Sequence, residues 1–337
     1  MSRMLGRRVP IDAPAIKCRS SASTVLLSTM TAAYNVTNLN APVLPCAEAG
    51  RRPPGALVLA ALGVLTFSFT LPMTKIAVRG LDPIVAAIGR AAIAGVLAAI
   101  TLAVTRSRRP TRAQARRLLW VVGGVVFGFP LLSAYALRHT DSSHGSVVNG
   151  LLPLATAGLA VIRAGERPSA RYWVCSFVGF AAVIAFVVEQ GGRSLHVADL
   201  LLVAAVVAAA IGYTEGALLA REIGGWQVIC WALVLAAPAV WTVSIVAAAR
   251  TGLDATPGQW VAFGYTAVLS MFLGFVAWYT GLARAGIAKA GQLQLAQPAL
   301  SIVWGWPLLG ERLSVPAVAT VVVVLLAVVA GRRAVVH

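Results

Sequence analysis

From about residue 55 to the C-terminus, apolar runs near 20 residues long, the length at which a helix crosses a bilayer, alternate with short polar breaks. The runs predict helices at 55–78, 84–105, 118–138, 144–163, 172–189, 198–219, 226–249, 258–283, 287–309 and 314–331. Almost none carries a polar face, so burial in one soluble core is a poor alternative. The expectation is an all-α integral membrane protein with ten transmembrane helices. Short connections make most consecutive helices antiparallel neighbours.

The pattern occurs twice. Gly165-Glu166-Arg167 returns as Gly310-Glu311-Arg312, an offset of 145 residues. The same offset carries Pro153 onto Pro298, Asn149 onto Gln294 and Thr156 onto Ser301. A long apolar run with a central proline precedes each Gly-Glu-Arg, and another apolar run follows it. The chain thus divides into a first five-helix repeat at 54–190 and a second at 191–337 that includes a short C-terminal tail. Five helices is an odd number, so the second repeat enters from the opposite side and the repeats are inverted. Such duplication with proline-broken helices is typical of transporters, and the meeting of the halves is the first place to seek a substrate.

Basic residues give the direction. With the N-terminus inside, inner segments near the spans hold sixteen Lys and Arg, against five on the outer loops (Arg79, Arg138, Arg193, Arg250, Arg312). Lys and Arg favour the cytoplasmic side. The expected location is therefore the cell inner (plasma) membrane, multi-pass, with both termini cytoplasmic. That dispersal also sets aside nucleic acid as a partner despite a net charge of +17. Residues 1–53 have no long apolar run and read as a disordered tail or a mis-assigned start. Cys18, Cys46, Cys175 and Cys230 have no metal-ligand spacing, and no nucleotide-binding loop or nucleophile elbow appears. No cofactor and no catalytic role are expected.

Several residues together resemble the drug/metabolite transporter superfamily, specifically its ten-helix EamA-type members, over about residues 55–331. They are Leu71-Pro-Met-Thr-Lys75, Asp82-Pro83 followed by Arg90, Pro153 with Gly165-Glu-Arg167, Trp278-Tyr279, and Pro298 with Gly310-Glu-Arg312. Where the family often carries Trp-Gly and Asn, this chain has Phe67, Ser68 and Thr70. The resemblance implies export or exchange of small metabolites, such as amino acids, or of drugs through a central cavity.

Candidate cavity residues are Thr70, Lys75, Asn149, Pro153, Tyr213, Glu215, Trp278, Gln294, Gln297 and Pro298. Each proline lacks an N–H and frees the carbonyl four residues earlier, that of Asn149 or Gln294. Pro153 lies about 20 Å along a helix from Glu166, near mid-membrane. Asn149 and Thr156 share a helix face, as do Gln294, Gln297 and Ser301. Their amides and hydroxyls suit a zwitterion or neutral solute, or serve as interhelical glue. Ionisable residues inside spans usually face a cavity or a partner. Lys75 and Arg90 lie near an outer end, where snorkelling to the interface is the alternative. Glu215 is a candidate for proton coupling, with pairing to Arg221 as the alternative. Glu166 and Glu311 read as gate latches or, more simply, as partners of nearby Arg or caps of the next helix. Trp120, Trp173, Trp226 and Trp260 read as interfacial anchors, Trp278, Trp304 and Trp306 as cavity wall, and His139 and His144 as solvated loop residues.

The sequence points to a secondary transporter of a small polar or amphiphilic metabolite, an exporter working by alternating access. Its cavity is expected among spans 1, 4, 6 and 9. Expected partners are the small-molecule substrate, the lipid bilayer and protons as a coupling ion. Small residues from Ala204 to Gly212 permit close helix packing within the chain or, in a homodimer, between subunits. The alternatives are a multidrug or nucleotide-sugar carrier of the same fold and, from another class, a non-transporting membrane scaffold or intramembrane enzyme.

Overall fold

The computed structural model describes residues 55–165, 169–191, 197–311 and 315–331, and every regular element among them is helical. The expected N-terminal tail, residues 1–53, and Glu166 lie outside the described residues. The chain opens with α1 (Gly55–Ser68) and α2 (Thr70–Ala77), broken at Phe69. Pro72 has no N–H to offer the Ser68 carbonyl, so the α-helical ladder is interrupted there. A π-helical segment, Val85–Gly89, leads into α3 (Arg90–Val104). Another, Val122–Gly128, joins α4 (Arg112–Val121) to α5 (Phe129–His139). Then come α6 (Ser142–Asn149), α7 (Leu152–Ala164) and α8 (Ala170–Gly191).

The second half begins with α9 (Val197–Ile223) and α10 (Gly225–Thr251). A third π-helical segment, Thr266–Gly274, joins α11 (Pro257–Tyr265) to α12 (Phe275–Ala285). A 3₁₀ turn, Gln292–Leu295, separates α13 (Ile287–Gly291) from α14 (Ala296–Leu309), and α15 (Val315–Gly331) follows. Among the described residues, seven stretches are long and apolar enough to cross a membrane: Gly55–Ala77, Val85–Val104, Arg112–His139, Ser142–Arg163, Val197–Ile223, Gly225–Thr251 and Pro257–Ala285. Large apolar side chains such as Ile100, Val174, Ile245 and Val261 point outward. Water would penalise that surface, whereas hydrocarbon accepts it.

The repeat reaches into details of backbone chemistry. Thr111 and Thr256, 145 residues apart, each cap a helix with the same reciprocal pair of bonds. Gln114 N donates to Thr111 Oγ1 at 3.3 Å while Thr111 N donates to Gln114 Oε1 at 3.0 Å. Gln259 and Thr256 do likewise at 3.4 and 2.8 Å. Gly165 and Gly310 end α7 and α14 in the left-handed region, at φ 66° and 68°, where a Cβ is penalised. The π-helical segments at 122–128 and 266–274 also correspond.

Packing obeys the same exchange of halves. α1 packs on α12 and, equivalently, α9 packs on α5. α6 packs on α14 as α13 packs on α7, whereas α3 with α10 and α8 with α15 are self-equivalent pairs. A two-fold relation of the repeats therefore generates the principal contacts of the core.

One expectation needs correction, and the expected breaks at Pro153 and Pro298 take a particular form: these prolines do not bend continuous helices. Each sits in the first turn of a restarted one, Pro153 at the second residue of α7 and Pro298 at the third of α14. A first-turn N–H lacks an intrahelical acceptor anyway, so the restart absorbs the missing donor. Trp306 is not cavity wall, being 61% exposed on the outer surface.

Candidate functional site

A cavity of about 20 Å³ lies where the two halves meet. Its polar lining comes from Thr70 at the break in α1–α2, Arg90 at the start of α3, Asn149 at the end of α6, Tyr213 in α9, Ser270 in a π-helical segment and Gln297 in α14. Phe67, Phe129 and Phe275 supply aromatic wall. The volume suits about one water. Anything larger requires the surrounding helices to part.

Irregular backbone places these groups. Val125 and Ser270, repeat equivalents, both reach the cavity from π-helical turns. Such turns often mark functional positions because the extra residue re-aims neighbouring side chains. Thr70 Oγ1 and Ser270 Oγ are 2.8 Å apart across the cavity wall. The Ser68 carbonyl released by Pro72 accepts from Ser301 Oγ at 2.6 Å, and Trp304 Nε1 donates to Ser68 Oγ at 3.0 Å. Trp304 also stacks on Phe69 with ring centroids 4.4 Å apart. α14 thus props open the break in α1–α2. Gln297 Nε2 reaches the Phe67 carbonyl at 3.5 Å, while its Oε1, Asn149 Oδ1 and Arg90 Nε are buried without hydrogen-bond partners.

Polar clusters close both ends of the bundle. At one end, Glu215 on α9 accepts from Arg163 Nε of α7 at 2.7 Å and Arg117 Nε of α4 at 3.3 Å. Arg117 also pairs with Glu222, which accepts from Gln114 Nε2 at 3.3 Å. At the opposite end, Glu311 just beyond α14 accepts from Ser142 N at 2.9 Å, Ser142 Oγ at 2.8 Å and Ser143 N at 3.0 Å, and it also bonds Ser143 Oγ. The two N–H groups are orphan donors of the α6 N-terminus, where a carboxylate is doubly favoured by hydrogen bonding and by the helix dipole. Nearby, His144 Nε2 lies 2.6 Å from Asp199 Oδ1. Lys75 Nζ donates to the Leu137 and Thr140 carbonyls at 2.9 and 2.7 Å.

Of the sequence candidates, Thr70, Asn149, Tyr213 and Gln297 meet at the cavity. Trp278 stands behind the lining, fully buried, with its ring centroid 6.1 Å from that of Phe67 and 5.7 Å from that of Tyr213. Gln294 is buried but not among the lining residues, and neither are Pro153 and Pro298. Lys75 neither snorkels nor lines the cavity but caps the end of α5. Glu215 is engaged by Arg117 and Arg163 rather than Arg221. His144 is in a helix facing Asp199 rather than in a solvated loop. Glu311 caps a helix of the other repeat, not the next one in sequence. Ala205, Ala209, Ala210 and Gly212 of α9 are buried within the chain, whereas Ala204 is exposed, and a Cβ on Gly124 would come within 2.2 Å of the Ala208 carbonyl oxygen and 2.9 Å of Gly212 N.

Sequence reasoning left Arg90 open between facing a cavity and snorkelling to the interface, and it passed over Ser270; the structure puts Arg90 on the cavity. Residues 85–92 are all buried, so the Arg90 side chain has no open path outward. Phe263 of α11 lies against Gly89, with a ring carbon 3.3 Å from where a Cβ would stand. The available signal for Ser270 was its equivalence to Val125, 145 residues earlier.

The family model described as EamA-like transporter family matches residues 54–188 and again 196–330. The uncharacterized transporter YdeK of Bacillus subtilis (strain 168) is 44% identical over 280 residues, covering 81% of this chain and 95% of the relative. A probable terminal-alkyne amino-acid exporter of Streptantibioticus cattleyicolor is 26% identical over 253 residues, covering 74% and 84%. One solved crystal structure superposes with a TM-score of 0.68 at 16% identity, covering 84% of this chain and 99% of that one, a likeness of fold alone.

Proposed function

Because the chain belongs to the EamA-like transporter family, we propose that it is a secondary transporter that exports a small polar or amphiphilic metabolite, such as an amino acid. It works by alternating exposure of the central cavity. The carrying observation is that cavity: amide, hydroxyl and guanidinium groups of both repeats converge on it, and polar clusters close it at both ends. Ten membrane passes in two inverted halves, with both termini in the cytoplasm, fit the Lys and Arg asymmetry. The end bearing Arg117, Arg163 and Glu215 is then the inner one, and that bearing Glu311 the outer. Opening the Glu215 cluster exposes the cavity inward, and opening the Glu311 cap exposes it outward. The plasma membrane is the proposed location. The relative named as a probable amino-acid exporter supports both substrate class and direction.

The test compares metabolites outside cells producing the intact protein with those outside cells producing Gln297→Leu at equal membrane levels. A solute enriched only by the intact protein names the substrate and establishes export. Equal profiles, together with unchanged uptake of labelled amino acids, would reject transport in favour of a membrane scaffold.

A further inference from the structure

Arg90 is 4% exposed and lines the cavity, and its Nε has no hydrogen-bond partner. Among the described residues no carboxylate pairs with it. Acids at the two ends of the bundle are committed elsewhere: Glu215 to Arg117 and Arg163, Glu222 to Arg117, Asp199 to His144, and Glu311 to the α6 N-terminus. Asp82 Oδ1 accepts from Ile84 N at 2.8 Å, within its own turn. A buried cation without a counterion is costly, and such residues in membrane proteins commonly face the route of a ligand. Two further lining atoms that are fully buried and unpartnered are acceptors, Asn149 Oδ1 and Gln297 Oε1. One cationic donor and two amide oxygens therefore stand unsatisfied around one small space.

We propose that Arg90 is the anchor for the carboxylate of the transported solute, and that Asn149 and Gln297 accept from a donor group next to that carboxylate. The inference rests on the transport reading. It restricts the substrate to compounds such as α-amino or α-hydroxy acids and excludes cations that carry no carboxylate. The planar guanidinium fork matches a carboxylate in two parallel hydrogen bonds, which a lysine ammonium cannot reproduce. When the solute is bound its anion supplies the missing counterion, so the loaded cavity is cheaper to close than the empty one.

The experiment uses the full-length protein in lipid nanodiscs. Thermal stabilisation and affinity are measured with the common L-amino acids and with α-hydroxy acids such as lactate. Each binder is compared with its carboxamide, and chloride and phosphate are run alone. The expected result is stabilisation by at least one acid, with its carboxamide weaker on the order of tenfold to a hundredfold. Arg90→Gln loses a similar factor and Arg90→Lys recovers part of it. A carboxamide that binds as tightly as its acid overturns the proposal, as does stabilisation by inorganic anions alone or by none of these acids. The carboxamide comparison needs no variant, so a misfolded Arg90→Gln does not obscure the outcome. Carboxylate-selective binding without export would reject the transport reading and keep the anchor. Export of a carboxylate that is indifferent to Arg90→Gln would do the reverse.

Discussion

The hydroxyl of Ser301 donates to the carbonyl of Ser68 at 2.6 Å, across the two repeats. That carbonyl is an orphan because Pro72 has no N–H, and Ser301 replaces the missing donor from a helix 233 residues away in sequence. Ser301→Ala leaves a buried carbonyl unsatisfied, at a cost of about 1–2 kcal/mol. A thermal midpoint lower by a few degrees, with partial recovery in Ser301→Thr, is the expected result. An unchanged midpoint in Ser301→Ala would mean that water or a shifted helix supplies the donor.

The inner cluster predicts a gating effect. Glu215→Gln removes the charge that holds Arg163 and Arg117, whose side chains are 53% and 31% exposed. Partial exposure screens the pairs, so the effect on closure is modest, about fivefold in the opening equilibrium. Ser270→Cys, in a background lacking the native cysteines, reports it. The cavity thiol should react faster with an impermeant reagent from the Arg117 side in Glu215→Gln, with no change from the other side. Equal rates from both sides would dissociate this cluster from gating.

How much of this was open to sequence reasoning depends on the range of the contacts. The 145-residue offset gave the two halves through Pro153 and Pro298, and it extends unprompted to Thr111 and Thr256 and to the π-helical turns around Val125 and Ser270. Helix existence was legible because it follows from local hydropathy. The fates of Lys75, Arg90 and Glu215 were not. Each is a charged residue a few positions from a span end, where a local pattern permits either snorkelling or burial. The decision belongs to distant partners: the Leu137 and Thr140 carbonyls for Lys75, the shared cavity wall with Tyr213, Ser270 and Gln297 for Arg90, and Arg117 with Arg163 for Glu215. Glu311 shows the same limit, since its acceptor role requires Ser142, 169 residues earlier, to be in contact.

Close backbone approach at Gly124 makes a steric prediction. A Cβ there would stand 2.2 Å from the Ala208 carbonyl oxygen, a backbone atom that cannot rotate away. Gly124→Ala forces α9 from the π-helical segment, at a cost of roughly 1–3 kcal/mol for overpacking. The variant should show less monodisperse protein in size-exclusion chromatography and a lower thermal midpoint. Gly123→Ala, where a Cβ meets nothing within 4 Å, should behave like the parent. Equal behaviour of the two variants would argue against this contact.

Glu311 makes the complementary prediction at the other end. Its carboxylate gathers backbone and hydroxyl donors of Ser142 and Ser143, so it joins the end of α14 to the start of α6. Charge-assisted bonds of this kind contribute about 1.5–3 kcal/mol, and the helix dipole adds about 0.3–1 kcal/mol. Glu311→Gln keeps one carbonyl acceptor but loses the charge and turns the other oxygen into a donor facing donors. Closure at this end should weaken, and the Ser270→Cys thiol should become more reactive from the Glu311 side. Glu215→Gln raises reactivity from the opposite side, so the pair of variants yields opposite sidedness from one reporter. Gly305→Ala offers a milder probe, because its Cβ would lie 3.1 Å from Glu311 Oε2 and 3.4 Å from Ser142 Oγ. It should shift reactivity in the same direction as Glu311→Gln by a smaller factor. If Glu311→Gln and Glu215→Gln both expose the cysteine from the same side, the two clusters do not act as opposed gates, and alternating exposure must be driven by other contacts.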